Sequence, residues 1–425
     1  MRCGRTRGLF ALAGLLVVLP APVILAETPV WLGISAPSEG ARLERGIPFI
    51  EVEGWAGARQ GARHDVLFVL DVSHSTLAPS GSDIDRDGRV GLQGCLMEWW
   101  REGGLEWPDD ERACPQAGDT IRAAQVAAAQ RMLDRLDRRR ARVGLVTFHG
   151  GAKLVAPLGI PHARLRIALH DIDLQPRSPA LGTDFRDALM TALAAFSRAP
   201  RRTDWDGAIE RSVLFLSDGE PTLPGFGGTP RREALVAAER AALAGLRIHA
   251  FALGVEARAH ADFYREMAHK TGGTLTHVSD PADVVAWLPL VNLADVTEIS
   301  MANVTSGEEG RAIRTFPDGS FDGYVPLLRG ANRLRVTARG SRGQEVSMER
   351  TVHFEPPAFR SARDREKLAE EEERFARVLE ERTEETRALR AIERARQRKQ
   401  LEVRVDDEQL KHLELHVEKS ADSPQ

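Results

Sequence analysis

Val66-Leu67-Phe68-Val69-Leu70 and Val213-Leu214-Phe215-Leu216 are apolar runs with no polar alternation. Short runs of this kind, rich in residues that favour strands, predict strands buried on both faces of a sheet. Strand and helix patterns alternate around them. After the first strand and its loop the spacing predicts a helix over Thr120–Leu136, a strand over Arg142–Phe148 and a helix around Arg164–His170. Next come a helix over Phe185–Phe196, the second apolar strand, a helix over Arg231–Ala244 and a strand over Arg247–Leu253. A helix over Ala261–Lys270 is closed by Gly272-Gly273, a last strand covers Thr274–Val278, and a final helix begins at Asp283–Leu288. This order predicts an α/β unit over residues 61–292, with a mostly parallel, Rossmann-like sheet and helices on both faces.

The flanks follow another period. Val30–Ile34 and Pro48–Gly54 read as strands, with a turn at Pro37-Ser38-Glu39-Gly40. Val296–Ile299, Ser320–Leu327 and Asn332–Ala338 alternate apolar and polar residues, and Ser347–Phe354 gives one more strand. Two strands alone are marginal, so the N-terminal pair needs partners from elsewhere. The phrases Asp318-Gly319-Ser320-Phe321 and Leu328-Arg329-Gly330-Ala331-Asn332 resemble bacterial immunoglobulin-like modules. The expectation is a single small β-sandwich made of 27–60 and 293–357, with the α/β unit inserted between two of its strands. Insertion would place the two ends of the inserted unit close together. The alternative is a separate C-terminal sandwich with an N-terminal arm.

Residues 358–425 change character again. Glu370–Glu373 is acidic, Arg394–Lys399 is basic, and no Pro or Gly occurs between Ala358 and Ser423. Leu368, Phe375, Val378, Leu389 and Ile392 keep helical spacing, but Arg382 and Glu385 interrupt the stripe. A long charged helix with a thin apolar seam is predicted, ending in a disordered tail. The seam suits a weak coiled coil, self-association or a partner helix; a solvated single helix is the other reading.

At the N-terminus, Arg2, Arg5 and Arg7 precede an apolar core over Leu9–Leu19, broken by Pro20 and Pro22 before Ala26. That is the pattern of a secretory signal over 1–26, with an uncleaved membrane anchor as the alternative. An extracytoplasmic place, periplasmic or surface, follows from it. A net charge of −4 and a pI near 6.3 give no reason to expect nucleic acid, and no basic-aromatic patch appears. Cys95 and Cys114 are the two cysteines beyond the leader, and both fall in the 80–118 insertion. In an oxidising compartment they suggest a disulfide; two free buried thiols is the other reading.

The chemistry sits where the apolar strands end, which is where open α/β sheets bind ligands. Asp71-Val72-Ser73-His74-Ser75 supplies one carboxylate and two hydroxyls, hard oxygen donors suited to Mg²⁺. Gly182-Thr183-Asp184 precedes the helix that begins at Phe185, and Ser217-Asp218-Gly219 ends the second apolar run. Here the sequence resembles the von Willebrand factor type A domain. Its metal-ion-dependent adhesion site combines Asp-x-Ser-x-Ser, a later threonine and a later aspartate. The match falls on Asp71, Ser73, Ser75, Thr183 and Asp218. The resemblance implies Mg²⁺, or Mn²⁺ or Ca²⁺, with an open position that takes an acidic side chain from a partner protein. Thr183 and Asp218 would coordinate directly or through water.

Asp83-Ile84-Asp85-Arg86-Asp87-Gly88-Arg89 resembles the calcium loop of EF-hand and dockerin proteins. The resemblance implies Ca²⁺ held by Asp83, Asp85, Asp87 and the Arg89 carbonyl. It departs from the pattern at the twelfth position, where Gly94 replaces a bidentate glutamate; Glu98 is a substitute after rearrangement. A solvated acidic turn is the other reading.

Catalysis is not expected. Gly-x-Ser-x-Gly, a Walker loop, a dinucleotide fingerprint and His-Glu-x-x-His are all missing. His74 alternates with the motif side chains and should point away from the ion, and His149 reads as a loop residue. The sequence therefore points to a metal-dependent protein-binding module. The alternatives are a structural subunit of an envelope complex assembled through the C-terminal helix and, further off, a metal-dependent hydrolase.

Overall fold

The computed structural model describes residues 30–88, 90, 118–173, 182–203, 205, 207–224, 229–358 and 362–421. The leader, Arg89, Gly94, Cys95, Glu98 and Cys114 lie outside the described residues, and with them the signal, the carbonyl ligand and the disulfide.

Strands β1 (Trp31–Ala36), β2 (Ala41–Leu43) and β3 (Phe49–Gly57) come first, followed by β4 (Arg63–Asp71). The alternating unit continues with α1 (Ile121–Asp134), β5 (Ala141–Phe148), β6 (Ala152–Ala156), α2 (His162–Asp173) and α3 (Phe185–Arg198). It is completed by β7 (Ile209–Ser217), α4 (Pro230–Leu243), β8 (Leu246–Leu253), α5 (Gly254–Ala259), α6 (Ala261–Lys270), β9 (Leu275–Val278) and α7 (Val284–Trp287). The chain then returns to strands: β10 (Val296–Asn303), β11 (Glu308–Glu309), β12 (Arg311–Thr315), β13 (Ser320–Pro326), β14 (Gly330–Gly340) and β15 (Glu345–Phe354). One helix, α8 (Ala362–Ala421), closes the described chain.

The central sheet has the order β6-β5-β4-β7-β8-β9, parallel throughout except for β6, which runs antiparallel to β5. The period of two inside the apolar run explains why β4 is central. Val66, Phe68 and Leu70 enter the core that holds α1 and α2, whereas Leu67 and Val69 enter the core that holds α3, α4 and α6. Helix starts follow capping chemistry. Thr120 Oγ1 accepts from Ala123 N at 3.0 Å, and Asp184 Oδ1 accepts from Asp187 N at 2.8 Å. At the end of α6 a Cβ on Gly273 would fall 1.9 Å from the Ile248 carbonyl oxygen, so only glycine lets that turn pack on β8. The predicted α/β architecture is the observed one. Within this unit β6, a short edge strand, and α5, a six-residue helix that starts on a glycine, were not foreseen.

Sequence-distant strands share the other two sheets. One has the order β1-β3-β13-β12 and the second β11-β10-β14-β15-β2. Val30, Ile50, Val52 and Phe321 meet Ile299, Met301, Leu334 and Val336 in a single core between them. This pair of sheets docks on the N-terminal edge of the central sheet. Arg247 bridges Asp295 at 2.8 Å and the Leu293 carbonyl at 2.7 Å, and the fully buried Asp318 accepts from Asp137 N at 2.9 Å. The C-terminal edge of the central sheet, where Asp71 lies, therefore faces the opposite way.

Between Phe375 and Val403 one face of helix α8 lies against the rest of the chain. Phe375 packs at 5.1 Å from both Phe49 and Tyr324, and Arg382 pairs with Glu51 at 2.6 Å while lying 4.8 Å over the Tyr324 ring. Further along, Lys399 reaches Asp280 at 2.8 Å and Asp283 at 2.6 Å, and Val403 is buried. The seam read from the sequence is thus partly spent on the chain's own body, which corrects the solvated-helix reading. Arg382, which breaks the apolar stripe, is one of its anchors. Among the described residues no helix is long and apolar enough to cross a membrane.

Candidate functional site

The site is built from the ends of β4 and β7. Asp71, 1% exposed, closes β4. Its Oδ1 accepts from the Ser73 backbone N–H at 2.8 Å, and its Oδ2 accepts from Ser217 Oγ at 2.5 Å. Ser73 precedes a one-turn 3-10 helix, His74–Leu77, which folds the chain back over the strand end. That turn is pinned from α1. Arg122 donates to the carbonyls of Val72 at 2.8 Å and Ser73 at 3.3 Å, and Gln125 donates to the Asp71 carbonyl at 3.1 Å.

The consequence is a line of oxygen atoms. Ser73 Oγ and Ser75 Oγ lie 3.1 Å apart, and Ser75 Oγ donates to Asp218 Oδ1 at 2.9 Å. His74 is half-buried, and its imidazole is held below its ordinary range by burial and then by Arg122. His149 sits in the turn after β5, where its carbonyl accepts from Asp184 N at 2.7 Å.

Thr183 is brought alongside through the backbone. Its N–H donates to Thr222 Oγ1 at 2.8 Å, and its carbonyl accepts from Thr222 N at 3.0 Å and Leu223 N at 3.2 Å. The Thr183 loop is therefore laid against the segment that follows Asp218. Gly182 makes the turn at φ 103°, where a Cβ would meet Leu223 Cδ1 at 2.9 Å. The Thr183 hydroxyl bonds to no described residue. Four of the sequence-named residues (Asp71, Ser73, Ser75 and Asp218) thus share one hydrogen-bond network, and Thr183 lies on the adjoining loop.

Electrostatics make this network costly as it stands. Burial pushes the Asp71 carboxyl up, against the pull of the Ser217 and Ser73 hydrogen bonds and of Arg122. Asp218 is pushed up to about 8, first by burial and then by the charge of Asp71. Two buried carboxyls compete for one low-dielectric space. A divalent cation would relieve both, and Asp71, Ser73, Ser75, Thr183 and Asp218 all offer the hard oxygen such an ion takes. Tyr264 was not singled out from the sequence. It is fully buried in α6, its hydroxyl donates to the Gly219 carbonyl, and burial pushes its phenol well up. It fixes the turn that carries Asp218. Ser217 was read only as the neighbour of Asp218, yet it is the partner of Asp71.

A second acidic cluster lies nearby. One carboxylate oxygen each from Asp83, Asp85 and Asp119 lie within 4.8 Å of one another. Asp119 is 2% exposed and accepts from Ile84 N at 2.5 Å. Asp87 is not in this cluster; its N–H donates to Asp85 Oδ1 at 3.1 Å. The acid that joins the aspartate loop therefore comes from the far end of the insertion, where Ser80 N donates to the Asp119 carbonyl at 2.6 Å.

The central sheet, its helices and the oxygen-rich turn at its C-terminal edge define a protein of the α/β class with a candidate cation site. Residues 113–220 match the family model of the von Willebrand factor type A domain. The match takes in Thr183 and Asp218 but begins after Asp71. Among solved structures, BatB from Bacteroides thetaiotaomicron is 19% identical, with 51% of this chain and 90% of that chain covered and a TM-score of 0.31. The vWF domain of the pilus tip protein Mfa5 from Porphyromonas gingivalis is 12% identical over 53% and 93%, with a TM-score of 0.34. Proximal thread matrix protein 1 of the mussel byssus, with zinc at its site, is 14% identical over 56% and 49%, with a TM-score of 0.36. No curated protein matches the chain.

Proposed function

We propose that the protein is a metal-dependent protein-binding module working outside the cytoplasm, in adhesion or in assembly of an envelope complex. In this reading Asp71, Ser73, Ser75, Thr183 and Asp218 hold a divalent cation, Mg²⁺ before Mn²⁺ or Ca²⁺, and an acidic side chain of the partner completes its coordination. The observation that carries the reading is the Asp71–Ser73–Ser75–Asp218 network with its two buried carboxyls. An ion held by few charges keeps its pull on a further carboxylate, and one such contact in a partly dry interface can anchor it. The placement of the paired β-sheets on the far edge of the central sheet supports the reading too, because it leaves this edge to a partner.

Calorimetric titration of Mg²⁺ and Mn²⁺ into the chelator-stripped protein tests the ion. The Asp71→Ala variant should lose the binding isotherm while keeping its far-UV circular dichroism. A pull-down from envelope extract with and without chelator tests the partner, and capture that survives both chelation and Asp71→Ala refutes the reading. A second cation, Ca²⁺, is proposed at Asp83, Asp85 and Asp119, where it would tie the two ends of the 80–118 insertion. Terbium luminescence that persists unchanged in Asp119→Asn refutes that placement.

A further inference from the structure

We propose that the channel between α8 and the open edge of β10 binds an extended acidic peptide segment. The channel is separate from the oxygen-rich turn, and the proposal does not rest on the metal reading.

Strand β10 pairs with β14 along its whole length, but its other neighbour, β11, covers only Ala302 and Asn303. Gly310 N donates to the Met301 carbonyl at 2.7 Å, so Met301 directs its backbone groups away from β14. By the alternation of an antiparallel strand, Ile299 presents its N–H and C=O on that same side. No strand among the described residues takes them up. An unpaired edge of this kind is a template for one more strand.

Helix α8 spans this edge without filling the space. Two adjoining cavities, about 980 and 740 Å³, lie between them and share Glu298, Ile299, Ile313, Thr386, Arg390 and Glu393. The helical wall of the channel runs from Thr383 to Gln397. At about 1.5 Å per residue that is roughly 20 Å, the length of about six residues of extended chain.

The charge of the channel selects the occupant. Arg387, Arg390 and Arg394 project from successive turns of α8 into the larger cavity, and none forms an ion pair among the described residues. Arg135 enters the smaller cavity. Its Nη2 reaches the Thr315 carbonyl at 2.9 Å, but its Nε and Nη1 are buried without a hydrogen-bond partner. The acids present are mostly spent. Glu298 pairs with Arg339 at 3.2 Å and Glu393 with Arg396 at 2.9 Å, which leaves Glu309 in the larger cavity against the guanidinium groups of Arg387, Arg390 and Arg394. Guanidinium forks pair with carboxylates in two parallel bonds. A strand added at β10 would place alternate side chains towards α8, so acidic residues at every second position fit the wall.

The test uses the full chain in chelator, with a fluorescein-labelled Glu-Val octapeptide of alternating sequence as probe. Anisotropy should show saturable, salt-sensitive binding, and the Lys-Val counterpart should not bind. The variant R387A/R390A/R394A, matched to the parent in melting temperature, should bind the Glu-Val peptide roughly 100-fold more weakly. Its charge-reversed counterpart R387E/R390E/R394E should prefer the Lys-Val peptide. A Glu-Val peptide N-methylated at alternate residues keeps its charge but cannot complete the ladder, and it should lose binding. Equal binding of the N-methylated peptide overturns the proposal. So does binding indifferent to the arginines, or arginine-dependent binding of inorganic tripolyphosphate with none of the peptide.

Discussion

Asp218→Asn should make the metal-free protein more stable while removing its response to divalent cations. The substitution keeps the size of the side chain and keeps Oδ1 as acceptor for Ser75 Oγ, 2.9 Å away in the parent. What it removes is a carboxyl that the fold pushes to about 8, from an ordinary value of 3.8, through burial and then the charge of Asp71. Because the folded value lies above the unfolded one, the native state holds a proton that the unfolded chain releases. Stability contributed by this group therefore falls as pH rises from 3.8 to about 8 and is level outside that window. At pH 7 the accumulated cost is on the order of 4 kcal/mol, which for a unit of this size shifts a melting midpoint by roughly 10 °C. The assay is differential scanning fluorimetry of chelator-stripped parent and variant between pH 4 and pH 8, repeated with Mg²⁺. The variant should melt higher at pH 7, lose the advantage near pH 4, and gain nothing from Mg²⁺ that the parent gains. A metal-free variant that melts at or below the parent at pH 7 would refute the argument that two uncompensated carboxyls await a cation.

Ser217→Ala removes the 2.5 Å hydrogen bond to Asp71 Oδ2, so Mg²⁺ affinity measured by calorimetry should fall roughly 10–100-fold with the fold unchanged. His249 is buried and held down at about 3, by desolvation first and then by Arg247. Its neutral form is favoured by the fold, so its contribution is whole above pH 6.5 and is lost as pH falls towards 3, about 2 kcal/mol by pH 5. His249→Asn should therefore flatten the urea midpoint between pH 7 and pH 5 relative to the parent. Phe375→Ala deletes two ring contacts at 5.1 Å, worth about 1–3 kcal/mol together, and limited proteolysis should then cut α8 while the central sheet stays protected.

Legibility in the sequence followed the range of the interactions. The parallel strands of the central sheet could be read because each carries its burial in a few adjacent residues, as Val66–Leu70 does. Asp71, Ser73 and Ser75 could be read for the same reason, since one turn carries all three. Asp119 could not, because it reaches Asp83 and Asp85 only after the whole insertion has returned to Ser80. Strand β12 was missed because Arg311-Ala312-Ile313-Arg314-Thr315 has a single buried residue, and its role depends on Asp322 pairing with Arg314 at 2.6 Å. The path of α8 was hidden by its composition. Its anchors are one phenylalanine and several charged side chains, which read as solvated until their partners on other elements are known.

The hydrogen bond between Ala58 N and the Ala294 carbonyl, 3.1 Å, has a consequence for biogenesis. These residues are separated by roughly 240 positions, and joining them in a flexible chain would cost about 5 kcal/mol in closure entropy. Once the parallel sheet has formed, its own topology brings the two ends together and most of that cost is already met. Until then β1 and β3 have each other, but β3 lacks β13 and β2 lacks β15. A lesion that slows maturation of the central unit would strand them in that state, and aggregation of the nascent chain would precede any loss of binding.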